Sequence, residues 1–392
     1  MDSQSITKKK RDANIELLRI VAMLMIITLH FNNQSKALLE LGEPASSVQI
    51  FATILEAIAI TGVNVYVLIS GYYLSSSKVK FSKILLLILQ VYFYTLLISG
   101  AMMFVGAYSV KPEDKLDRAL RYLFPISSEH YWFVTAYVIM YVLAPVMNAA
   151  VNTLKRKQLK TVIIGLLTWF CFIKSIVPAK FGTDRMGYDF GWFICLYLIA
   201  AYIRKYNVVL FRDAKRSALV YLVSVIVIAA IGFIFYKINF DTTTRIYSEE
   251  IGDYIYKGKF QYYAGVPCHY NFFFALTGAL GLFSVFRFMR LKENLFAKVI
   301  RIIAPYTLGV YLLHMHFEIA DRWVEWIEQI IGETPLDNVL TFFIHLVISV
   351  LMVFFAGIFV DWIRKYIFNF IGRVLGDTGL FRLIKRVDDD LC

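Results

Sequence analysis

Residues 84–107 read ILLLILQVYFYTLLISGAMMFVGA, a nearly continuous apolar run without a charged residue. Strands of a transmembrane barrel alternate polar and apolar residues at period two, whereas a lipid-exposed helix reads as an unbroken stretch. The run is therefore read as a membrane helix, and similar stretches recur from residue 16 to residue 362 with only short polar breaks. Of 392 residues, 59% are hydrophobic and 18% charged, and the mean hydropathy is +0.61. A water-soluble globule and a single-span receptor are both excluded by such a chain. Apolar windows of about 20 residues predict an all-α, polytopic transmembrane bundle of about ten spans. These lie near 15–33, 51–74, 83–107, 131–150, 161–178, 190–204, 217–236, 269–287, 302–319 and 338–362.

Charge sets the orientation. With the N-terminus inside, the inner segments hold 27 of the 41 Lys and Arg, including Lys8, Lys9, Lys10 and Arg11. The outer loops then hold 13 basic against 18 acidic residues. Positive charge is preferred on the cytoplasmic side, so both termini are expected there. The +12 net charge is thus a matter of membrane topology, and no nucleic-acid partner is expected. The basic start resembles a signal-peptide n-region, but no small-residue cleavage site follows, and the first helix is read as retained. The expected organisation is a basic segment 1–14, a membrane domain 15–362 and a cytoplasmic tail 363–392. Cys171, Cys195, Cys268 and Cys392 have neither paired nor CxxC spacing, so no disulfide framework or zinc cluster is indicated.

Without a soluble domain, function must reside in the bundle, where ionisable groups are costly and tend to mark function. All six histidines, His30, His130, His269, His314, His316 and His345, fall in the outer half or at the outer ends of spans. No HExxH, GxSxG or Walker pattern occurs, and no metal is expected. Arg19 and His30 are 11 residues apart, which at ~100° per residue is three turns plus ~20°, with an axial separation of ~16.5 Å. One stripe of the first helix therefore offers an anion anchor near the inner end and a titratable base farther out. That spacing suits a long anionic cofactor, and equally an arginine snorkelling to headgroups with a histidine at the outer interface.

RIVAMLMIITLH at 19–30 resembles the R-x(10)-H signature in the first span of the acyltransferase family 3 integral membrane proteins. GVNVYVLISGYYL at 62–74 resembles the family's second-span motif, and HYWFVTAYVIMYVLAPVMN at 130–148 its Trp-led mid-chain span. LGVYLLH at 308–314 is similar to its late Tyr-Leu-x-His segment. The likeness runs from about residue 14 to 362. Tyr66 stands where the family more often has Phe, and His316 where a proline often follows the late histidine. Some members carry a C-terminal hydrolase-like domain, and this chain is expected to be the stand-alone form.

The resemblance implies transfer of an acyl group, usually acetyl from cytoplasmic acetyl-CoA, to a hydroxyl of a surface polysaccharide or lipid-linked sugar. Arg19, with Ser70 and Gly71 at the same depth, is then the donor port, where Gly permits close approach and Ser donates to phosphate or carbonyl oxygens. Tight helix packing is the other reading of Ser70 and Gly71. His30 is the natural base for a weakly nucleophilic alcohol, either directly or through an acyl-histidine. Glu129, His130 and Trp132 at the outer end of the fourth span suit a sugar by hydrogen bonding and stacking, although Trp132 equally suits an interfacial anchor. Tyr311, His314 and Glu318 mark the ninth span, with Glu318 four residues after His314 and so on the same face, able to orient an imidazole or bind hydroxyls. His316 and Asp321 have H-x(4)-D spacing, read as chance at the outer end of a span. The alternative to an enzyme is a non-catalytic transporter or flippase of a lipid-linked saccharide. A multi-pass protein of the bacterial cytoplasmic membrane is expected.

Overall fold

A computed structural model of the chain describes residues 11–42, 44–107, 114–177, 181–182, 184–248, 253–375, 379, 384 and 386–388. Lys8, Lys9, Lys10 and Cys392, and parts of segments 108–130, 237–268 and 363–392, lie outside the described residues. The architecture is a bundle of apolar helices with one small hairpin.

The first half comprises α1 (Ala13–Gln34), α2 (Ser47–Ala59), α3 (Gly62–Leu74), α4 (Phe81–Phe104), α5 (Lys115–Leu123) and α6 (Trp132–Thr153). It continues with α7 (Arg156–Leu167), a π-helical turn Thr168–Ile173, and α8 (Lys174–Ile176). Then come α9 (Phe190–Lys205), α10 (Ala214–Asp241), the hairpin of β1 (Thr244–Ser248) and β2 (Asp253–Lys257), and α11 (Gln261–Gly265). The chain closes with α12 (Phe273–Phe288), α13 (Leu295–Ile303), α14 (Thr307–His314), α15 (Trp323–Ile331) and α16 (Val339–Leu375).

Local chemistry sets several starts. Ser46 and Gln49 form a reciprocal capping box on α2, while Asp189, Asp213 and Asn294 accept from the backbone N–H three residues on and so begin α9, α10 and α13. In the apolar interior, hydroxyls turn back to their own helix, as Thr95 donates to Val91 O at 2.8 Å and Ser99 to Thr95 O at 2.6 Å.

Among the described residues nine helical segments are long and apolar enough to cross a membrane, with α2–α3 counted as one. The segment expected at 190–204 is the exception. It forms the 16-residue α9, whose length of ~24 Å falls short of the ~30 Å hydrocarbon core. Trp192, Phe193, Leu196 and Tyr197 are fully buried against α3 and α6, and α9 runs the length of α3, from Asn64 beside Trp192 to Tyr72 beside Arg204, so it crosses inside the bundle, walled by protein rather than lipid. Two boundaries also move. The ninth span ends at His314 and gives way to turns, and the last helix runs on to Leu375, past the expected end at 362. An all-helical reading also had no place for the antiparallel hairpin, which pairs Thr244 with Lys257 and Ser248 with Asp253.

Two backbone features position the site. α14 crosses α16 at a close approach, where a Cβ on Gly357 would stand 2.5 Å from Val310 Cα and one on Gly309 would overlap Asp361. Only glycine permits such contact, the usual device of packing inside a membrane. Asp361, fully buried, is held by Arg364 at 2.7 Å and by Tyr94 at 3.0 Å. The chain ends gather at one end of the bundle: Tyr73 donates to Asp12, and Asp388 accepts from the Ser82 backbone N–H and hydroxyl at the start of α4.

Candidate active site

α1 runs through the middle of the bundle, packed by α2, α3, α13 and α16, and carries both Arg19 and His30. Arg19 is held by Glu16, 3.2 Å away and one helical turn earlier, which also attracts Arg11 at 3.6 Å. This carboxylate is buried, so it aims the guanidinium rather than neutralising it at a wet surface. Arg19 lines a cavity of about 260 Å³ with Ser70, Lys83, Tyr137 and Tyr141. The Ser70 hydroxyl faces it while donating to Tyr66 O at 3.0 Å. Gly71 points elsewhere: a Cβ there would meet Tyr197 Cα at 3.0 Å and Ala200 Cβ at 3.1 Å, so this glycine seats α3 against α9.

His30 lines a second, tighter space of about 20 Å³ with Trp132, Tyr270 and Tyr311. Tyr66, Phe133 and Leu308 line both cavities, so the two meet end to end across a thin partition. The Tyr66 hydroxyl is fixed there by Thr307 Oγ1 at 2.8 Å.

His30 is paired with His314. His30 Nδ1 lies 3.0 Å from His314 Nε2, and His314 Nδ1 lies 2.6 Å from Val310 O. A carbonyl only accepts, so His314 carries its proton on Nδ1 and presents a lone pair at Nε2. His30 must then donate from Nδ1, which leaves the lone pair of its own Nε2 for chemistry. A backbone carbonyl thus sets the tautomer of the outer histidine, and through it that of His30.

The remaining expected residues divide. Trp132 stacks on Tyr270 at 5.7 Å, meets Tyr188 at a tilt with centroids 4.5 Å apart, and forms a wall of the His30 cavity. Tyr311 lines the same cavity; its buried hydroxyl oxygen faces the Phe133 backbone N–H, and its proton has no acceptor among the described residues. Glu318 does not share a helix face with His314, because the helix has already ended there. It accepts from Tyr122 at 2.6 Å, and its backbone N–H donates to His316 Nδ1 at 3.1 Å. His130 is buried with His316, Phe317, Tyr122 and Tyr131 around it, and neither ring nitrogen has a partner among the described residues. Burial, then the nearby His316, Arg118 and Arg121, push its imidazole down to about 2, so it is neutral in the fold. Glu129, next to it, is exposed and pairs with Arg185 at 3.4 Å. These two therefore do not form one sugar-facing surface.

Sequence reasoning passed over Glu16, Asn64 and Tyr270, and gave Tyr66 no part in the site. Asn64 accepts from Trp192 Nε1 at 2.9 Å and donates to Tyr270 O at 2.7 Å, holding a cavity wall in place. Only Glu16 had a local signal, the E-x-x-R spacing that puts it a turn before Arg19.

No curated protein and no solved structure matches the chain significantly. A family model described as acyltransferase domain matches residues 12–362, nearly the whole chain. The interval includes both halves of the histidine pair and every span that shapes the two cavities. The chain belongs to acyltransferase family 3 and is a multi-pass membrane acyltransferase.

Proposed function

We propose that the protein moves an acetyl group from cytoplasmic acetyl-CoA to a hydroxyl of a cell-surface or lipid-linked carbohydrate, at the bacterial cytoplasmic membrane. The observation that carries this reading is the pair of abutting cavities, one cationic at Arg19 and one holding the His30–His314 pair, divided by Tyr66, Phe133 and Leu308. Both termini are taken as cytoplasmic, which puts the Arg19 cavity on the side where the thioester is available. The basic-residue distribution supports this, as does the gathering of Asp12 and Asp388 at one end of the bundle. Reporter fusions at residue 392 test it, and an extracytoplasmic signal would overturn the assignment of the donor side.

Arg19 and Lys83 hold the phosphates of the donor, and the acyl-pantetheine arm passes Tyr66 toward His30. A second cleft on the turn that follows α3 carries Lys78, Arg204 and Lys205 and offers room for the nucleotide. His30 Nε2 accepts the proton of the acceptor hydroxyl as its oxygen attacks the thioester carbonyl. The Tyr311 hydroxyl, whose proton has no acceptor among the described residues, is suited to donate to the oxyanion. Collapse of the tetrahedral intermediate breaks the C–S bond, and the departing thiolate takes the proton back from His30. Products are the O-acetyl ester and free CoA.

Purified full-length protein in nanodiscs, given acetyl-CoA and envelope glycan, should release CoA thiol and form ester. His30→Gln should bind acetyl-CoA nearly as well while losing at least ~10²-fold in transfer rate. Near-normal transfer by that variant would refute the base assignment. Saccharide movement across the bilayer without thiol release would favour the flippase reading instead.

A further inference from the structure

The Arg19 cavity is not the only space near the His30 site. A recess of about 400 Å³ opens between α2, α10, α11 and the hairpin, and among the described residues no lysine or arginine lines it. Its polar lining is Glu40, Glu56, Asn239, Gln261, Tyr236 and Tyr256. The charge is opposite to that of the donor cavity, which holds Arg19 and Lys83.

Two of these groups are prepared for a ligand. Asn239 is only 1% exposed, and its Oδ1 accepts from the Phe260 backbone N–H at 2.7 Å. That bond fixes the orientation of the amide, so Nδ2 is a committed donor, and it has no acceptor among the described residues. Leaving a buried donor unmet is costly unless a ligand atom completes it. Glu56 accepts from Asn32 Nδ2 at 3.2 Å, and no basic side chain among the described residues pairs with it.

The recess also abuts the chemistry. Asn32, which bonds Glu56, lies only ~3 Å along α1 from His30 but ~200° round it, so the recess and the His30 cavity flank opposite faces of one helix. Cys268 lines the recess, and Tyr270, two residues on, lines the His30 cavity.

We propose that this recess binds a neutral or positively charged polyhydroxylated unit, rejects anionic ones, and presents the acyl acceptor to His30 from the side opposite the donor. Tyrosine rings supply stacking faces, Asn239 supplies an oriented amide, Glu56 hydrogen-bonds hydroxyl or ammonium groups, and an acidic sugar would meet the exposed Glu40 carboxylate with no cation among the described lining residues. The acceptor role rests on the enzymatic reading above; the binding and its charge rule do not.

The test uses full-length protein in nanodiscs and saturation-transfer NMR with methyl β-glucoside, methyl β-glucosaminide and methyl β-glucuronide. A parallel arm puts a monoglucosyl diacylglycerol in the bilayer as competitor, to distinguish a lipid headgroup from a free saccharide. Wild type should bind the first two probes at least ~tenfold tighter than the glucuronide, given the cost of opposing like charges. Gly232 also lines the recess, and a Cβ there meets no atom within 4 Å, so Gly232→Leu fills the space without disturbing the fold. Its unfolding midpoint should match wild type while glucoside binding, or displacement by the glucolipid, is lost. Glu40→Lys, which puts a cation at the rim, should bring the glucuronide within about threefold of the glucoside. Unchanged binding in Gly232→Leu, equal binding of all three probes, or no binding at all overturns the site. Acetyl-CoA affinity is measured in the same samples. If it is normal and Gly232→Leu still acylates methyl glucoside at the wild-type rate, the acceptor role fails; if wild type binds the probes but never releases thiol, the enzymatic reading fails and the recess stands.

Discussion

Replacing His314 by Leu separates positioning from proton transfer. In the native pair, Val310 O fixes the His314 proton at Nδ1, and His314 Nε2 in turn receives the Nδ1 proton of His30. Leucine approximates the volume but leaves the His30 N–H unpaired in a buried site, a loss of ~1–3 kcal/mol. If that energy holds His30 in the tautomer with Nε2 free, its removal lowers turnover by roughly five- to 150-fold at 1.36 kcal/mol per decade. The assay is thiol release at saturating acetyl-CoA with varied acceptor, alongside the donor Kd. We expect kcat to fall within that range while donor affinity stays near wild type. His314→Gln, whose amide can accept from His30 and donate to Val310 O, should recover most of the loss. A folded His314→Leu protein with wild-type kcat would refute the relay. So would equal losses in the Leu and Gln variants, since a packing role does not discriminate between them in this direction.

Arg19→Ala should weaken acetyl-CoA binding roughly ten- to a hundredfold, and Arg19→Lys less, because a point charge partly replaces the guanidinium fork; equal affinities measured by calorimetry would remove Arg19 from the donor site. Gly71→Val should lower the unfolding free energy by ~1–3 kcal/mol through overlap with Tyr197 and Ala200, with donor affinity of the surviving protein unchanged; the reverse pattern in a Tm and binding comparison would restore Gly71 to the donor port. For His130 the sign follows from its neutral folded form. Stability is full above the unfolded pKa of ~6.5 and falls as pH drops from there toward the folded value of about 2, by up to ~1.4 kcal/mol per pH unit. His130→Phe, which abandons no hydrogen bond, should therefore lose less stability than wild type between pH 7.5 and pH 5; parallel Tm curves would show that His130 is charged in the fold.

The membrane class, the order of the helices and the Arg19–His30 stripe were legible because each is written in local periodicity. The two side chains do open into successive cavities, as three turns on one face require. The His30–His314 contact joins residues 284 positions apart, and no local pattern encodes which imidazole faces which. The end of α14 was equally hidden, since Met315, His316 and Phe317 contain no helix breaker. The following turns owe their shape to tertiary bonds such as that from Tyr122 to Glu318, and extrapolating the helix put Glu318 on the wrong face. That α9 crosses inside the bundle rather than against lipid was not legible, because composition does not distinguish lipid from protein as the surrounding medium.

The crossing of α14 over α16 has a practical bearing on redesign. Val310 presses its Cα on Gly357 and lends its carbonyl to His314, so the backbone itself, rather than a replaceable side chain, registers the histidine pair. Laboratory evolution can therefore randomise the lining of the recess on α2, α10 and the hairpin, where open volume surrounds Gly232, without unseating the pair. Libraries that touch Gly309 or Gly357 would return mostly inactive clones whatever acceptor is screened. Acceptor preference and catalytic competence are thereby housed in separable parts of one bundle, and the first can drift while the second is held by two residues that have no side chain to change.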